Sequence, residues 1–119
     1  MLVSIDHVQL AMPAGGEERA RGFYRDVLGL AEQPKPPHLA KRGGCWFEQG
    51  TLKVHLGVEA DFHPARKAHP AFLVDDIDEV AGRAEAAGFP VRWDEDLPGF
   101  RRFHTADGNG NRVELLASI

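Results

Sequence analysis

The sequence is poor in the residues that several common functions require. It has a single cysteine, Cys45, so neither an intrachain disulfide nor a cluster of zinc-binding thiolates is available, and we interpret Cys45 as a small buried residue. The densest basic segments are only the pairs Arg66-Lys67 and Arg101-Arg102. Because a nucleic acid or an anionic membrane is held by clustered Lys and Arg, we expect neither as a partner.

Long apolar runs are also lacking. No segment approaches the roughly 20 apolar residues that span a bilayer, and no charged start followed by an apolar stretch indicates a signal peptide. The 119 residues are 43% hydrophobic and 27% charged, with a formal net charge of 14 − 18 = −4. This composition is typical of a single globular domain over residues 1–119, which we expect to be cytoplasmic.

The hydrophobic pattern predicts two similar series of elements. In the first half it predicts a strand over 2–10, a helix over 17–28 ended by Gly29, a loop at the proline-rich segment 33–37, and a hairpin of strands over 44–48 and 52–58. In the second half it predicts a strand over 70–74, a helix that starts at Asp75-Asp76 and ends at Gly88, and strands over 90–93, 101–105 and 111–117.

The two halves form an internal repeat, with modules of about 1–60 and 66–119 joined by a polar connector. When the halves are aligned, His7 corresponds to His69 and His55 corresponds to Glu114. The spacings are 55 − 7 = 48 and 114 − 69 = 45 residues, and one loop can absorb the difference. Four side chains able to bind a metal therefore occupy equivalent places.

Strand alternation predicts that two of these four side chains face away from the helices. Val54 and Leu56 flank His55 in the sequence, as Val113 and Leu115 flank Glu114. Because side chains alternate across a sheet, His55 and Glu114 face away from the side that the apolar residues bury. We expect the four candidate ligands to meet in the interior between two sheets.

Imidazole and carboxylate ligands suit a divalent ion such as Zn, Ni, Mn, Fe or Co. A closed tetrahedral site of His7, His55, His69 and Glu114 would be structural. In a six-coordinate site two positions stay open for a substrate, whose developing oxyanion the ion would stabilise as a Lewis acid. Without His55, the other three form a two-histidine-one-carboxylate triad. Taken singly, His7 and His69 fit an ordinary hydrogen-bonded role and His55 is ambiguous. Glu114 is the hardest to explain in that way, because an unpaired buried carboxylate is costly.

The remaining histidines differ in their surroundings. His38 and His63 lie in loop segments, where we expect them at the surface. Arg102 and His104 share one face of a predicted strand, so they either contact a substrate or lie on a solvated face. No residue stands out as a general base, and we assign no catalytic residue.

The sequence resembles the vicinal oxygen chelate superfamily, which includes glyoxalase I, fosfomycin resistance thioltransferases, extradiol dioxygenases, methylmalonyl-CoA epimerase and bleomycin resistance proteins. The resemblance covers essentially the whole chain and is carried by the segments Ile5-Asp6-His7-Val8, Phe23-Tyr24-Arg25-Asp26-Val27-Leu28-Gly29, His69-Pro70-Ala71-Phe72-Leu73-Val74 and Asp107-Gly108-Asn109-Gly110-Asn111-Arg112-Val113-Glu114. It implies an α+β fold of two tandem βαβββ modules whose curved mixed sheet surrounds a central cavity.

The same resemblance implies a metal site and a homodimer. His7, His69 and Glu114 match the three recurring ligand positions, and His55 falls at the fourth, which varies. In short members of the superfamily, the first module of one chain faces the second module of its partner. His7 and His55 of one chain would then join His69 and Glu114 of the other. Gln9 takes the place of a drug-contacting threonine of the fosfomycin enzymes, which makes it a candidate substrate contact.

Two hypotheses follow for the function. The first is a glyoxalase-like, metal-dependent enzyme that acts on a small oxygen-chelating substrate by isomerisation, lysis, thiol addition or oxygenation. Lactoylglutathione lyase activity is not expected, because His55 replaces a carboxylate that takes part in proton transfer there. The alternative is a metal-free protein of the bleomycin resistance type that binds and sequesters a small molecule.

Overall fold

The chain folds into two four-stranded sheets with short helices. The computed structural model describes residues 1–119. The first module contains β1 (Val8–Met12), α1 (Glu17–Ala20) continued by a π-helical turn (Arg21–Arg25), β2 (Ala31–Gln33), α2 (Pro37–Ala40), β3 (Cys45–Gln49) and β4 (Leu52–Val58). The second contains β5 (Ala71–Leu73), α3 (Ile77–Ala86), β6 (Arg92–Asp94), β7 (Phe100–Ala106) and β8 (Arg112–Ser118).

Both sheets have the same topology. The strand orders are β1-β4-β3-β2 and β5-β8-β7-β6. In each sheet the first pair is parallel and the other pairs are antiparallel. This confirms the predicted α+β fold of two tandem modules, each containing a βαβββ series, to which the first module adds the short helix α2.

The strand registers also repeat. In the first sheet Gln9 lies opposite His55, and in the second Ala71 lies opposite Glu114. His7 and His69 each precede the first residue of these pairs by two positions. The correspondence inferred from the sequence is therefore a correspondence of positions in the two sheets.

One core is shared by the two modules. Asp76 begins α3 by accepting a hydrogen bond from the backbone nitrogen of Glu79 at 3.1 Å, and this satisfies one of the free N–H groups at the helix start. The helix buries Ile77 and Ala81 against the second sheet. Buried apolar residues of both modules form one continuous cluster, which includes Phe23, Phe47, Phe72 and Phe103. None of the helices is long and apolar enough to cross a membrane.

Cys45 lies inside this core and has no disulfide partner. Burial is the main reason that the pKa of its thiol is raised to about 11. The thiolate is therefore scarce at neutral pH, and the interpretation of Cys45 as a small buried residue is confirmed.

The first predicted strand is wrong at its start. Regular structure begins at Val8, and the preceding apolar side chains are open to solvent, with Leu2, Val3 and Ile5 exposed by 99%, 96% and 79%. The alternating pattern in this segment is that of a strand with one buried face. A single chain offers that face nothing to cover it.

The proline-rich loop and the first helix also differ from the prediction. The strand β2, which was not predicted from the pattern, ends at Gln33, and Pro37 begins the short helix α2. A proline is tolerated at the first position of a helix because the N–H it lacks has no intrahelical partner there. The first helix ends at Arg25 rather than at residue 28, after a π-helical turn.

A turn between β7 and β8 connects the second module to the first. The buried carboxylate of Asp107 accepts hydrogen bonds from the Tyr24 hydroxyl at 2.7 Å and from Asn111 Nδ2 at 3.1 Å. The same Nδ2 donates to the carbonyl of Ala11 in β1 at 2.8 Å. Burial and the neighbouring Asp107 raise the pKa of Tyr24 well above its ordinary value, so the phenol stays a donor.

The rest of this turn fits closely against the first helix. Asn109 accepts from Arg19 Nε at 3.0 Å and donates to the carbonyl of Gly16 at 3.2 Å. A Cβ at Gly108 would lie 2.1 Å from the carbonyl oxygen of Arg19. Only glycine fits at this position, because any side chain would push the turn away from the helix.

We expect the Tyr24→Phe substitution to lower the free energy of unfolding by about 2 kcal/mol, because it removes a buried hydrogen bond to a charged group. Urea unfolding at a fixed protein concentration measures the change. Arg25→Gln is the control, because it removes only an ion pair at the surface with Asp26, and we expect no shift of the midpoint. Equal midpoints for Tyr24→Phe and the wild type would contradict the role assigned to the turn.

Candidate metal centre

Three side chains of the second sheet form a group that fits a metal ion. His69, His104 and Glu114 each offer one ligand atom, and these atoms lie within 4.8 Å of one another. Glu114 is only 5% exposed and lies between Val113 and Leu115, which are buried in the core. Its carboxylate is on the opposite face of β8, as strand alternation requires.

His69 faces oxygen acceptors with both of its ring nitrogens. Nδ1 donates to the carbonyl of Lys67 at 2.8 Å, and Nε2 lies 3.0 Å from Glu114 Oε1. The bond to the carbonyl fixes the ring so that Nε2 faces the cluster, as is common for metal-binding histidines. Two ligands about 2.1 Å from an ion and at a right angle lie about 3.0 Å apart, so the observed separation fits neighbouring positions of an octahedral site.

Glu114 is held in its ionised form. Burial by itself raises the pKa of this carboxyl group, but the hydrogen bonds from His69 and Arg102 outweigh burial, and the pKa lies below its ordinary value. Arg102 Nη1 donates to Glu114 Oε2 at 3.2 Å. The carboxylate is therefore available as an anionic ligand at neutral pH.

His104 and Arg102, the two predicted substrate contacts on β7, meet at Asp94. His104 Nε2 lies 3.0 Å from Asp94 Oδ2, and Arg102 Nη2 lies 3.0 Å from the same oxygen. The other nitrogen of His104 lies 3.4 Å from Arg112 Nη2. Both ring nitrogens of His104 thus have partners outside the set of predicted ligands, namely Asp94 and Arg112.

Asp94 is a residue that the sequence analysis missed. A backbone hydrogen bond from Asp96 and the bond from His104 are the main causes of its pKa lying below the ordinary value. It lies directly opposite Arg102 in the β6–β7 pair. A tight turn between β6 and β7 would have predicted that Asp94 lies opposite Arg102. The connecting loop is longer, so the sequence does not determine the register of the two strands.

The two candidate ligands of the first sheet form a stack of three rings with Trp46. The rings of His7 and His55 lie 4.2 Å apart, and those of His55 and Trp46 lie 4.1 Å apart and nearly parallel. His7 Nδ1 lies 3.0 Å from Asp6 Oδ2, which leaves Nε2 free. Burial, followed by the neighbouring His7, lowers the pKa of His55, so its imidazole is neutral at neutral pH, as a ligand must be.

Trp46 could have been found from the sequence. It lies opposite His55 in the β3–β4 pair, and the tight turn at Gln49-Gly50 sets that register. Gln9 lies opposite His55 on its other side. These three side chains therefore share one face of the first sheet.

The structure brings the four predicted ligands together in two separate pairs. His7 stacks on His55, and His69 contacts Glu114. The only group of three or more ligand atoms within one chain contains neither His7 nor His55. Each pair lies at the equivalent place of its own sheet.

Comparisons with known proteins show what the sequence and the fold of the chain are similar to. The chain matches the model of the Glyoxalase/Bleomycin resistance protein/Dioxygenase superfamily over residues 4–115. A crystal structure of a glyoxalase family protein from Bacillus anthracis is 46% identical, with a TM-score of 0.95, over 100% of this chain and 98% of that chain. No curated protein sequence matches the chain significantly.

Two further crystal structures have named activities or ligands. Lactoylglutathione lyase from Agrobacterium tumefaciens is 26% identical, with a TM-score of 0.72, over 98% of this chain and 95% of that chain. A mutant of the fosfomycin resistance protein FosX from Listeria monocytogenes, complexed with Mn(II) and 1S,2S-dihydroxypropylphosphonic acid, is 16% identical, with a TM-score of 0.79, over 100% of this chain and 95% of that chain. Taken with its repeated sheets and the match over residues 4–115, the chain belongs to the Glyoxalase/Bleomycin resistance protein/Dioxygenase superfamily.

Proposed function

We propose that this protein is a divalent-metal-dependent, glyoxalase-like enzyme whose site for a small oxygen-chelating substrate is assembled between two copies of the chain. The observation that carries the proposal is the division of the four candidate ligands into two pairs at equivalent places of two like sheets. Each pair offers two ligands. His7 and His55 of one chain would complete the site that His69 and Glu114 begin in the other.

The chemistry of the donors supports a metal. Three imidazoles and one carboxylate suit Zn, Ni, Mn, Fe or Co, and the only thiol of the chain is buried in the core. Glu114 is ionised and His55 is neutral, so neither has to lose a proton at neutral pH. The Mn(II) complex of FosX supports a divalent ion in a protein of this fold.

The exposed beginning of the chain supports a second copy. The apolar side chains of Leu2, Val3 and Ile5 are almost fully open, and they directly precede His7. Covering them with a partner chain would bury apolar area next to a candidate ligand. A segment with this alternating pattern is a natural strand for such an interface.

A bound ion would act as a Lewis acid on a chelated oxygen of the substrate. Arg102 and His104 lie beside it, where their hydrogen bonds to Asp94 hold them in place. Gln9 shares a sheet face with His55 and can contact the substrate from the partner's side of the site. Isomerisation, a lyase reaction, thiol addition and oxygenation can all use a chelated oxygen, and the proposal covers all four.

One observation favours the alternative of metal-free binding. Both oxygens of the Glu114 carboxylate already have partners, His69 and Arg102, without an ion. A protein that binds a small molecule in the same cleft would keep its stabilisation by that ligand in the presence of a strong chelator. A metal enzyme would lose it.

We expect cobalt(II) to bind the purified metal-free protein and to quench the fluorescence of Trp46, because the indole stacks on His55 at 4.1 Å. Trp93→Phe leaves Trp46 as the only tryptophan, and Trp46→Phe leaves Trp93. We expect the stronger quenching in the Trp93→Phe protein. Equilibrium dialysis measures binding at the same time.

Substitutions of the ligands complete this test. Changing a group that merely orients a ligand weakens metal binding roughly 10- to 100-fold, so we expect His69→Ala or Glu114→Gln to weaken it by more than that. Cobalt binding without any effect on Trp46 would remove His55 from the site. The absence of stoichiometric binding of any of the five metals would overturn the metal-dependent function.

Mixing two inactive variants tests the shared site. We expect His7→Ala and His69→Ala each to bind little metal alone, because every site then lacks a ligand. After their subunits exchange, about half of the dimers contain one of each chain, and each mixed dimer has one intact site. The mixture should therefore bind about one quarter of the metal that the wild type binds.

Two results would reject the shared site. One is a mixture that binds no more metal than its separate components after subunit exchange has been verified by mass labelling. The other is a wild-type protein that sediments only as a monomer at micromolar concentration. His38→Ala is the matched control for the loss of a histidine, because His38 is exposed in α2, away from both clusters.

A further inference from the structure

A cavity rich in arginine adjoins the candidate metal cluster. It has a volume of about 450 Å³, and its lining includes the three arginines Arg66, Arg92 and Arg112 together with His104. No aspartate or glutamate lines it. In a chain with a net charge of −4, such a concentration of positive charge is unexpected.

The three guanidinium groups of the cavity have no acidic partner. No carboxylate oxygen lies within 4.0 Å of Arg66, Arg92 or Arg112, whereas Arg21, Arg25, Arg101 and Arg102 each have at least one carboxylate partner. Arg112 donates only to the carbonyl of Arg66 at 3.3 Å and to His104 at 3.4 Å. The donors of the cavity are therefore largely available to a ligand.

The nearest acidic group does not neutralise the cavity. Asp94 is two residues from Arg92 on β6, but its carboxylate is bound by Arg102 and His104. Arg102 in turn contacts Glu114. The contacts of the Asp94 carboxylate therefore lie with the residues of the metal cluster and not with the arginines of the cavity.

The strand registers place the cavity on the same face as the candidate ligands. Arg92 lies opposite His104, and His104 lies opposite Glu114. Arg112 precedes Glu114 by two residues on β8 and so shares its face, at a distance along the strand of about 7 Å. An extended small molecule can reach both the guanidinium groups and a metal bound to Glu114.

We infer that this cavity is a subsite for a phosphate or phosphonate group carried by the substrate, a conclusion that rests on the proposed function. A doubly charged oxyanion matches three unpaired guanidinium groups better than a carboxylate does, since it has more charge and more acceptor oxygens. The volume is also adequate for a small ligand. The substrate class is then a small phosphorylated or phosphonylated compound with chelating oxygens a few bonds from the anionic group.

The experiment measures the binding of inorganic phosphate to the metal-free protein in excess chelator, by calorimetry at constant ionic strength. We expect Arg92→Gln to weaken phosphate binding about tenfold, which corresponds to one charge-assisted hydrogen bond partly exposed to solvent. The side chain of Arg92 makes no hydrogen bond or ion pair, so this variant should fold normally. Arg112→Gln should act in the same direction.

Arg25→Gln is the matched control, because it removes one positive charge from the first helix, outside the cavity. We expect it to bind phosphate as the wild type does. Methylphosphonate should bind like phosphate, and acetate should bind at least tenfold more weakly at the same ionic strength.

Several outcomes would overturn the inference: no phosphate binding to the wild type, equal weakening in Arg25→Gln, or acetate binding as tight as that of phosphate. Cobalt dialysis of the wild type is a separate readout for the proposed function. Phosphate binding without metal binding would leave the oxyanion subsite in place and remove the metal enzyme. Metal binding without phosphate binding would reject the oxyanion subsite and keep the metal-dependent function.

Discussion

The buried hydrogen bonds of the turn at Asp107–Asn111 hold the two modules in one arrangement. The carboxylate of Asp107 accepts a hydrogen bond from the hydroxyl of Tyr24 in the first helix. The side-chain amide of Asn111 donates one to the carbonyl of Ala11 in the first strand. These groups would be costly to leave unpaired inside the core. The turn therefore fixes the start of β8, and with it the place of Glu114, relative to the first module.

The shared core determines which faces are open. Both modules bury one face of their sheet in a continuous apolar cluster. The opposite faces then carry His55 in the first sheet and Glu114 in the second, each between core residues of its own strand. A polar side chain is tolerated at these two positions because it faces away from the core. The sheet faces that carry His55 and Glu114 are not covered by the core of this chain.

The sequence predicted these positions well because they depend on local rules. Strand alternation and the internal repeat are enough to assign His55 and Glu114 to the open faces of their sheets. The hairpin turn at Gln49-Gly50 would also have placed Trp46 opposite His55. The role of Asp94 depends on a register that no tight turn sets, so it was missed. The prediction of the start of the first strand was wrong for another reason. The pattern of residues 2–7 is that of a strand with a buried face, and in one chain this segment is exposed.

Different interactions set the charge of the two pairs of candidate ligands, and this charge influences which substrate charge the proposed site would favour. Burial and the neighbouring His7 keep His55 neutral by lowering its pKa, whereas hydrogen bonds keep Glu114 charged. A site with three imidazoles and one carboxylate leaves a divalent ion with one net positive charge. Arg66, Arg92 and Arg112 line the adjoining cavity without an acidic residue beside them, and they would add to that charge. An anionic substrate of the proposed site would therefore offset this positive charge, whereas a neutral substrate would leave it uncompensated.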